Sequence, residues 1–124
     1  MHGTLVFDGR CGFCTRSAGW LRRLDRRGRV AVRPSQAAGV LAAAGLTPED
    51  AAASVWWLGE DGRRAHGAEA VNAALSAALG TRLPLALYRV TRWPQERLYD
   101  WVAAHRHRLP GVTPYCTEHP QDCG

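Results

Sequence analysis

Two cysteines at the junction of a strand pattern and a helix pattern constrain this fold more than any other feature of the sequence. Residues 4–7 form a short apolar run that ends in Asp8-Gly9, which predicts a buried strand arriving at a turn. Cys11 and Cys14 follow, and over residues 14–27 apolar side chains recur at helical spacing. The sequence therefore predicts a strand, a turn and a helix, with Cys11 just before the helix and Cys14 in its first turn.

Strand and helix patterns alternate from this unit up to residue 79. Further strands are predicted at residues 30–32, 55–58 and 63–66, and further helices at residues 36–44, from residue 47 and around residues 71–79. The right-handed crossover rule makes the first two strands parallel, and the turn at residues 59–62 makes the last two a hairpin. We predict an α/β, thioredoxin-like fold with a four-stranded mixed sheet, helices on both faces, and an extra C-terminal helix and loop.

The length of the chain is typical of one domain. With 124 residues, of which 46% are apolar and 22% are charged, the composition is that of a globular protein with its own core. We expect a single thioredoxin-like domain over residues 1–124, with a core at residues 4–79 and a helical extension at residues 83–124. In that extension a helix at residues 95–107 precedes a proline-containing loop at residues 110–124.

The distribution of charge along the chain bears on whether it binds nucleic acid. All sixteen basic residues are arginines and the net charge is +5, but the arginines are spread over several predicted elements instead of forming one stripe with aromatic residues. We therefore expect no nucleic-acid partner. The first residues do not have the pattern of an export signal, and no apolar run approaches the roughly 20 residues that span a bilayer. We expect no membrane association and a cytoplasmic location.

The position of the two cysteines favours thiol-disulfide exchange. The free N–H groups at a helix N-terminus stabilise a thiolate, so we expect Cys11 to attack a disulfide and Cys14 to resolve the mixed disulfide. Arg10 would favour the thiolate, and Asp8 could accept the proton of the resolving thiol. The alternative interpretations are a solvated arginine and a turn-forming aspartate. The expected partner is a thiol or disulfide substrate, either a protein or a small molecule, and no cofactor is expected.

The four cysteines leave other interpretations open. A structural disulfide framework is not expected in a reducing cytosol. A zinc or iron-sulfur module could use Cys11, Cys14, Cys116, His119 and Cys123, although the last two cysteines do not form a tight knuckle, and we predict no metal site. A non-catalytic interaction domain is the third class. The late cysteine pair itself could relay electrons to the first pair, supply half of a metal site, or lie in a loop without chemistry.

The run Phe7-Asp8-Gly9-Arg10-Cys11-Gly12-Phe13-Cys14 resembles the D-x-x-C-x-x-C signature of the DCC family of thiol-disulfide oxidoreductases. Later in the chain, Tyr99, Ala103, Arg106, Gly111 and Cys116 stand in an order similar to a second pattern of that family. The resemblance implies a thioredoxin-like fold with the aspartate and two cysteines of the first run as signature residues. It also implies roles for Arg106 and Cys116 near them.

One departure from thioredoxins concerns how a substrate is held. Thioredoxins have a cis-proline just before the third strand, where it faces the dithiol and receives the substrate backbone. Ala53-Ser54 stands at that place here. The comparison implies either that a substrate is held differently or that Ser54 makes the contact of the third strand with it. Cys123 lies outside the family pattern.

Overall fold

A four-stranded mixed sheet forms the centre of the computed structural model, which describes residues 2–123. The strands are β1 (Gly3–Phe7), β2 (Val30–Pro34), β3 (Trp56–Gly59) and β4 (Arg64–His66). They lie in the order β2-β1-β3-β4, with β1 parallel to β2 and antiparallel to β3, and β3 antiparallel to β4. The predicted α/β class, the mixed sheet and the hairpin are confirmed.

Helices connect and follow these strands. They are α1 (Gly12–Leu24), α2 (Val40–Ala44), α3 (Pro48–Ala53), α4 (Ala68–Leu79), α5 (Leu83–Val90), α6 (Arg92–His105) and α7 (Tyr115–Glu118), and a 3-10 turn follows at Pro120–Asp122. A capping box between Thr47 and Asp50 begins α3, which satisfies two backbone donors at its N-terminus. The order of elements up to α4 is the predicted one.

Three elements differ from the prediction. The helix predicted at residues 36–44 is confined to α2, because Gly39 has a left-handed φ of 79° that interrupts a continuous helix. The apolar stretch at residues 83–88, whose type was not predicted, forms α5. The loop predicted at residues 110–124 contains α7 and the 3-10 turn, and its residue 124 lies outside the described residues. Pro114 and Pro120 stand at the starts of these turns, where a missing N–H costs little.

The two faces of the sheet are covered by different helices. Leu5, Trp57 and Ala65 are cross-strand neighbours, and they form the main core with α1 and with the alanine-rich inner side of α4. Side chains alternate along a strand, so Trp56 points to the opposite face. There its indole N–H donates to the carbonyl of Asp50 in α3 at 3.0 Å. Helices therefore lie on both faces, as predicted.

The helices are short. With 14 residues, α6 is the longest in the part of the chain that the structure describes. No helix within residues 2–123 is both long enough and apolar enough to cross a membrane. The cytoplasmic location and the division of the chain into a core and an extension stay predictions.

Candidate active site

Cys11 caps the N-terminus of α1. Its backbone is extended, with φ −103° and ψ 119°, and its Sγ accepts the N–H of Cys14 at 3.2 Å. Asp8 fixes the preceding turn, because its carbonyl accepts the N–H of Cys11 at 3.2 Å and its Oδ1 accepts the N–H of Arg10 at 3.0 Å. The predicted placement of Cys11 before the helix and of Cys14 in its first turn is confirmed.

The surroundings of Cys14 hold a proton on its sulfur. Desolvation by burial is the largest of the effects that raise the pKa of Cys14 from 9.0 to about 12, and the hydrogen bond with Cys11 and the charge of Cys11 act in the same direction. The guanidinium of Arg106 acts in the opposite direction and lowers this pKa, with its Nη1 at 3.9 Å from Sγ. Around neutral pH, Cys14 is therefore a thiol.

Asp8 is held from three sides. Its Oδ2 pairs with Nη2 of Arg106 at 3.1 Å, and the two side chains are only 15% and 20% exposed. Its Oδ1 accepts the side-chain N–H of Gln36 at 2.8 Å as well as the N–H of Arg10. Gln36 in turn accepts the N–H of Gly9 at 2.9 Å. This network fixes the Arg106 guanidinium next to Cys14.

The structure brings some of the predicted site residues together and leaves others apart. Asp8, Cys14 and Arg106 are in contact through the ion pair and the guanidinium, whereas the side chain of Arg10 is exposed. The arginine beside the dithiol is thus the one implied by the family resemblance, 95 positions beyond Cys11 (106 − 11). The influence of Arg10 on the Cys11 thiolate stays a prediction.

Gln36 is a site residue that the sequence analysis missed. A signal for it existed, because Phe7 pairs with Pro34 in the parallel ladder between β1 and β2. The carboxyl ends of parallel strands meet at one edge of a sheet, so the residues that follow the two strands come together there. Asp8 and Gln36 are such residues.

Ser54 lies near the site, but the backbone N–H of the next residue is already bonded to a tyrosine hydroxyl. The hydroxyl of Tyr99 accepts the N–H of Val55 at 2.9 Å and the Ser54 hydroxyl at 3.3 Å. The carbonyl of Val55 accepts the N–H of Gly67 at 3.1 Å. Both backbone polar groups of Val55 are therefore satisfied within the protein. From the sequence, Tyr99 was expected only as part of a family pattern, and its contact with Val55 was not predicted.

Residues 110–123, here called the C-terminal segment, lie against the turn that contains Cys11. The N–H of Val112 donates to the carbonyl of Gly12 at 3.2 Å, and the N–H of Cys116 donates to the carbonyl of Gly9 at 2.9 Å. These contacts stand on both sides of Cys11 in the sequence. Cys11 is only 1% exposed. The segment therefore helps to cover the predicted nucleophile.

Cys116 and Cys123 form a disulfide within the C-terminal segment. The expectation of no structural disulfide is wrong for this pair, because α7 and the 3-10 turn reverse the chain and bring the two Cα atoms to 5.6 Å. Both sulfurs are used in this bond. In residues 2–123, no three His, Cys, Asp or Glu side chains are grouped as metal ligands, so the cysteine cluster of the zinc or iron-sulfur alternative is not formed. The electron relay stays a prediction.

An apolar cavity of about 530 Å³ opens beside Cys14. Side chains of α1, α4 and α6 and the residues just before β3 line it, among them Phe13, Trp20, Val71, Leu98 and Val102. Two of these are large and unusually open to solvent, since Trp20 is 50% exposed and Leu98 is 64% exposed. Cys14 and Arg106 belong to the lining, whereas Cys11 does not.

Comparison with protein families supports the resemblance seen in the sequence. The model of the DCC1-like thiol-disulfide oxidoreductases matches residues 5–112, which include Asp8, Cys11, Cys14 and Arg106 and end before Cys116. No curated protein and no solved structure is significantly similar to the chain. Because the match covers most of the sequence, the chain belongs to the DCC1-like thiol-disulfide oxidoreductase family.

Proposed function

We propose that this protein exchanges thiols and disulfides, with Cys11 as the attacking and Cys14 as the resolving residue. The observation that carries the proposal is the unequal environment of the two sulfurs. Cys11 Sγ accepts a backbone N–H at the start of α1, whereas burial, together with the hydrogen bond and charge of Cys11, raises the pKa of Cys14 to about 12. Only a thiolate attacks a disulfide efficiently, so Cys11 is the better nucleophile. Membership of the family supports the type of reaction.

The proposed reaction has two exchange steps. The thiolate of Cys11 attacks a substrate disulfide, forms a mixed disulfide and releases the first substrate sulfur as a thiolate. That thiolate or solvent takes the proton of Cys14, and Cys14 then attacks Sγ of Cys11 and releases the second substrate sulfur. The dithiol loses two electrons as it becomes the Cys11–Cys14 disulfide, and the substrate disulfide gains them. The reverse sequence oxidises a dithiol.

The second step needs Cys14 to lose its proton, and Arg106 is suited to assist. Its guanidinium contacts Cys14 Sγ and lowers the pKa of that thiol against the effect of burial. Asp8 holds Arg106 in place through the ion pair and is therefore a positioning residue for it. Direct acceptance of the Cys14 proton by Asp8 stays a prediction. The Asp8 oxygens already accept two hydrogen bonds and pair with Arg106.

The cover over Cys11 limits which molecules reach it. Since Cys11 is 1% exposed, attack requires the start of the C-terminal segment to move from the first turn of α1 or the substrate to approach from the side of Cys14. Cys14 lines an open cavity, so a substrate can reach Cys14 without displacement of the segment. A substrate small enough to enter that cavity meets Cys14 there, next to Cys11, whose Sγ accepts the N–H of Cys14.

Trapping of the intermediate tests the assignment of the two roles. We expect the reduced Cys14→Ser variant to accumulate a mixed disulfide on Cys11 when it is mixed with a small disulfide, as measured by mass spectrometry of the intact protein. The Cys11→Ser variant should accumulate no such adduct in the same time. An adduct on Cys14 in the Cys11→Ser variant, with none in the Cys14→Ser variant, would reverse the two roles.

Reaction with a thiol reagent and with a disulfide distinguishes a catalytic dithiol from a non-catalytic interaction domain. Brief treatment of the reduced protein with iodoacetamide, followed by peptide mass spectrometry, should label Cys11 ahead of Cys14. Both thiols should form one intramolecular disulfide after reaction with an excess of substrate disulfide. Failure to form the Cys11–Cys14 disulfide under these conditions would support a non-catalytic domain.

A further inference from the structure

We propose that the substrate of this dithiol is a small, uncharged, apolar disulfide, or the corresponding dithiol, whose body occupies the cavity beside Cys14. The inference deepens the proposed function and rests on it for the chemical step. Its basis is the position, lining and hydrogen bonding of the cavity, which together select against charged molecules and extended peptides.

The size of the cavity suits a small molecule. Its volume of about 530 Å³ lies within the range of sites that enclose drug-sized ligands. The lining is dominated by carbon surface from helices α1, α4 and α6, and Trp20 and Leu98 expose apolar area that water solvates poorly. An apolar body bound there would remove this area from water, which supplies a driving force for binding.

The polar groups of the lining are committed to partners within the protein. The positive charge of Arg106 is paired with Asp8 at 3.1 Å. The Ser17 hydroxyl donates to the carbonyl of Phe13 at 3.0 Å, and the side-chain amide of Asn72 donates to Gln95 at 2.7 Å. A charged substrate would lose its hydration without gaining an opposite charge, so the cavity favours an uncharged one.

The backbone of Val55, which precedes β3, is closed to a peptide substrate. A peptide that added to the chain before β3 would need free N–H and C=O groups there. At Val55, which lines the cavity, the N–H donates to the Tyr99 hydroxyl and the carbonyl accepts the N–H of Gly67. An extended peptide would leave its own polar groups unsatisfied at this point, whereas a compact apolar molecule brings few such groups.

The reaction follows from this position of the substrate. The Cys11 thiolate attacks one sulfur of the bound disulfide, and the body of the molecule extends past Cys14 into the cavity. For a cyclic disulfide, both substrate sulfurs stay on one molecule through the mixed disulfide. Attack by Cys14 then releases that molecule as a dithiol, and the protein retains the Cys11–Cys14 disulfide. Two electrons pass from protein to substrate, and the products carry the protons of Cys14 and of solvent.

Lipoamide is a suitable probe, since it is uncharged and carries a cyclic aliphatic disulfide. Single-turnover oxidation of the reduced protein should be measured with lipoamide, with oxidised glutathione, which is charged, and with insulin as a protein disulfide. Each rate constant is divided by the rate constant of the same disulfide with dithiothreitol, which corrects for intrinsic reactivity. We expect the corrected value for lipoamide to exceed the other two by at least about tenfold. Equal or higher corrected values for oxidised glutathione or insulin would overturn the inference.

A variant of the lining tests where the substrate binds. Leu98→Asp should lower the rate with lipoamide by roughly tenfold because it places a charge in the apolar lining. The rate with bis(2-hydroxyethyl) disulfide, which is small and polar, should stay close to that of the unaltered protein. Leu87→Asp is the matched control, because Leu87 is also exposed but lies outside the lining. Equal effects of the two variants on lipoamide would count against the cavity.

A binding measurement separates the inference from the proposed function. Calorimetric titration of the Cys11→Ser/Cys14→Ser variant with lipoamide involves no redox step. If lipoamide binds, and Leu98→Asp weakens that binding, the cavity is supported as the substrate site. This holds even if the unaltered protein reduces no disulfide, because that result would overturn only the proposed function. Absence of binding overturns the inference even if the protein reduces disulfides.

Discussion

Asp8 and Arg106 form an ion pair that joins the end of β1 to the residue that follows α6. The carboxylate and guanidinium approach to 3.1 Å in a largely buried position, and the same guanidinium lies 3.9 Å from Cys14 Sγ. The two residues are far apart in the sequence, and the packing of α6 against α4 and α5 brings them together. The pair therefore links the signature aspartate of the family to the resolving thiol.

Loss of the Arg106 charge should slow the resolving step. In Arg106→Gln, the effect of the guanidinium on the pKa of Cys14 is removed, so the thiolate needed for the second step becomes rarer. We expect release from the mixed disulfide to be slower by about tenfold, the scale of one charged hydrogen bond, in rapid-quench mass spectrometry. Arg108→Gln, which alters an exposed arginine nearby, is the control. Equal release rates in the two variants would contradict the role of Arg106.

The stability of the reduced protein should fall at alkaline pH because of Cys14. The unfolded thiol loses its proton near 9.0, whereas the folded thiol keeps it up to about 12. The raised pKa of Cys14 in the folded state thus contributes stability that is fully present below pH 9.0 and is lost as pH rises towards 12. Urea unfolding of the reduced protein from pH 8 to 10 should show a steeper decline than Cys14→Ser, and parallel curves would contradict this pKa.

Removal of the Tyr99 hydroxyl should destabilise the fold. Tyr99→Phe leaves the backbone N–H of Val55 without its acceptor, which costs about 1–3 kcal/mol of the free energy of unfolding. Tyr115→Phe is the control, because its hydroxyl bonds to Asp122 at an exposed place and its loss should cost less than about 1 kcal/mol. Chemical denaturation of both variants measures the free energy of unfolding. Equal decreases in the two variants would show that the hydrogen bond at Val55 does not contribute to stability.

A methyl group on Gly111 should loosen the cover over Cys11. A Cβ at this position would lie 2.5 Å from the backbone nitrogen of Phe13, so Gly111→Ala must displace the C-terminal segment from α1. We expect iodoacetamide to label Cys11 about tenfold faster in this variant, as small local openings become more frequent. Gly19→Ala is the control, since nothing lies within 4 Å of the added atom. An unchanged labelling rate in Gly111→Ala would mean that the segment does not limit access.

The sequence by itself determined the sheet and the position of the dithiol. Alternating strand and helix patterns, together with the crossover rule, predict a four-stranded mixed sheet with its first two strands parallel and its last two in a hairpin. The pairing of β1 with β3, and with it the order β2-β1-β3-β4, came from the tertiary structure. The turn after β1 and the cap at Cys11 are also local, since their hydrogen bonds join residues within a few positions. For the turn and the cap, neighbouring residues carry the information.

Only the tertiary structure decided what surrounds the two sulfurs. Gln36 and Arg106 contact Asp8, and Tyr99 closes the backbone of Val55, through contacts between residues far apart in the sequence. Such contacts depend on how helices pack and on which strand ends meet, and no local periodicity encodes them. The same holds for the Cys116–Cys123 disulfide and for the raised pKa of Cys14, because both depend on distances and burial that arise once the chain is folded.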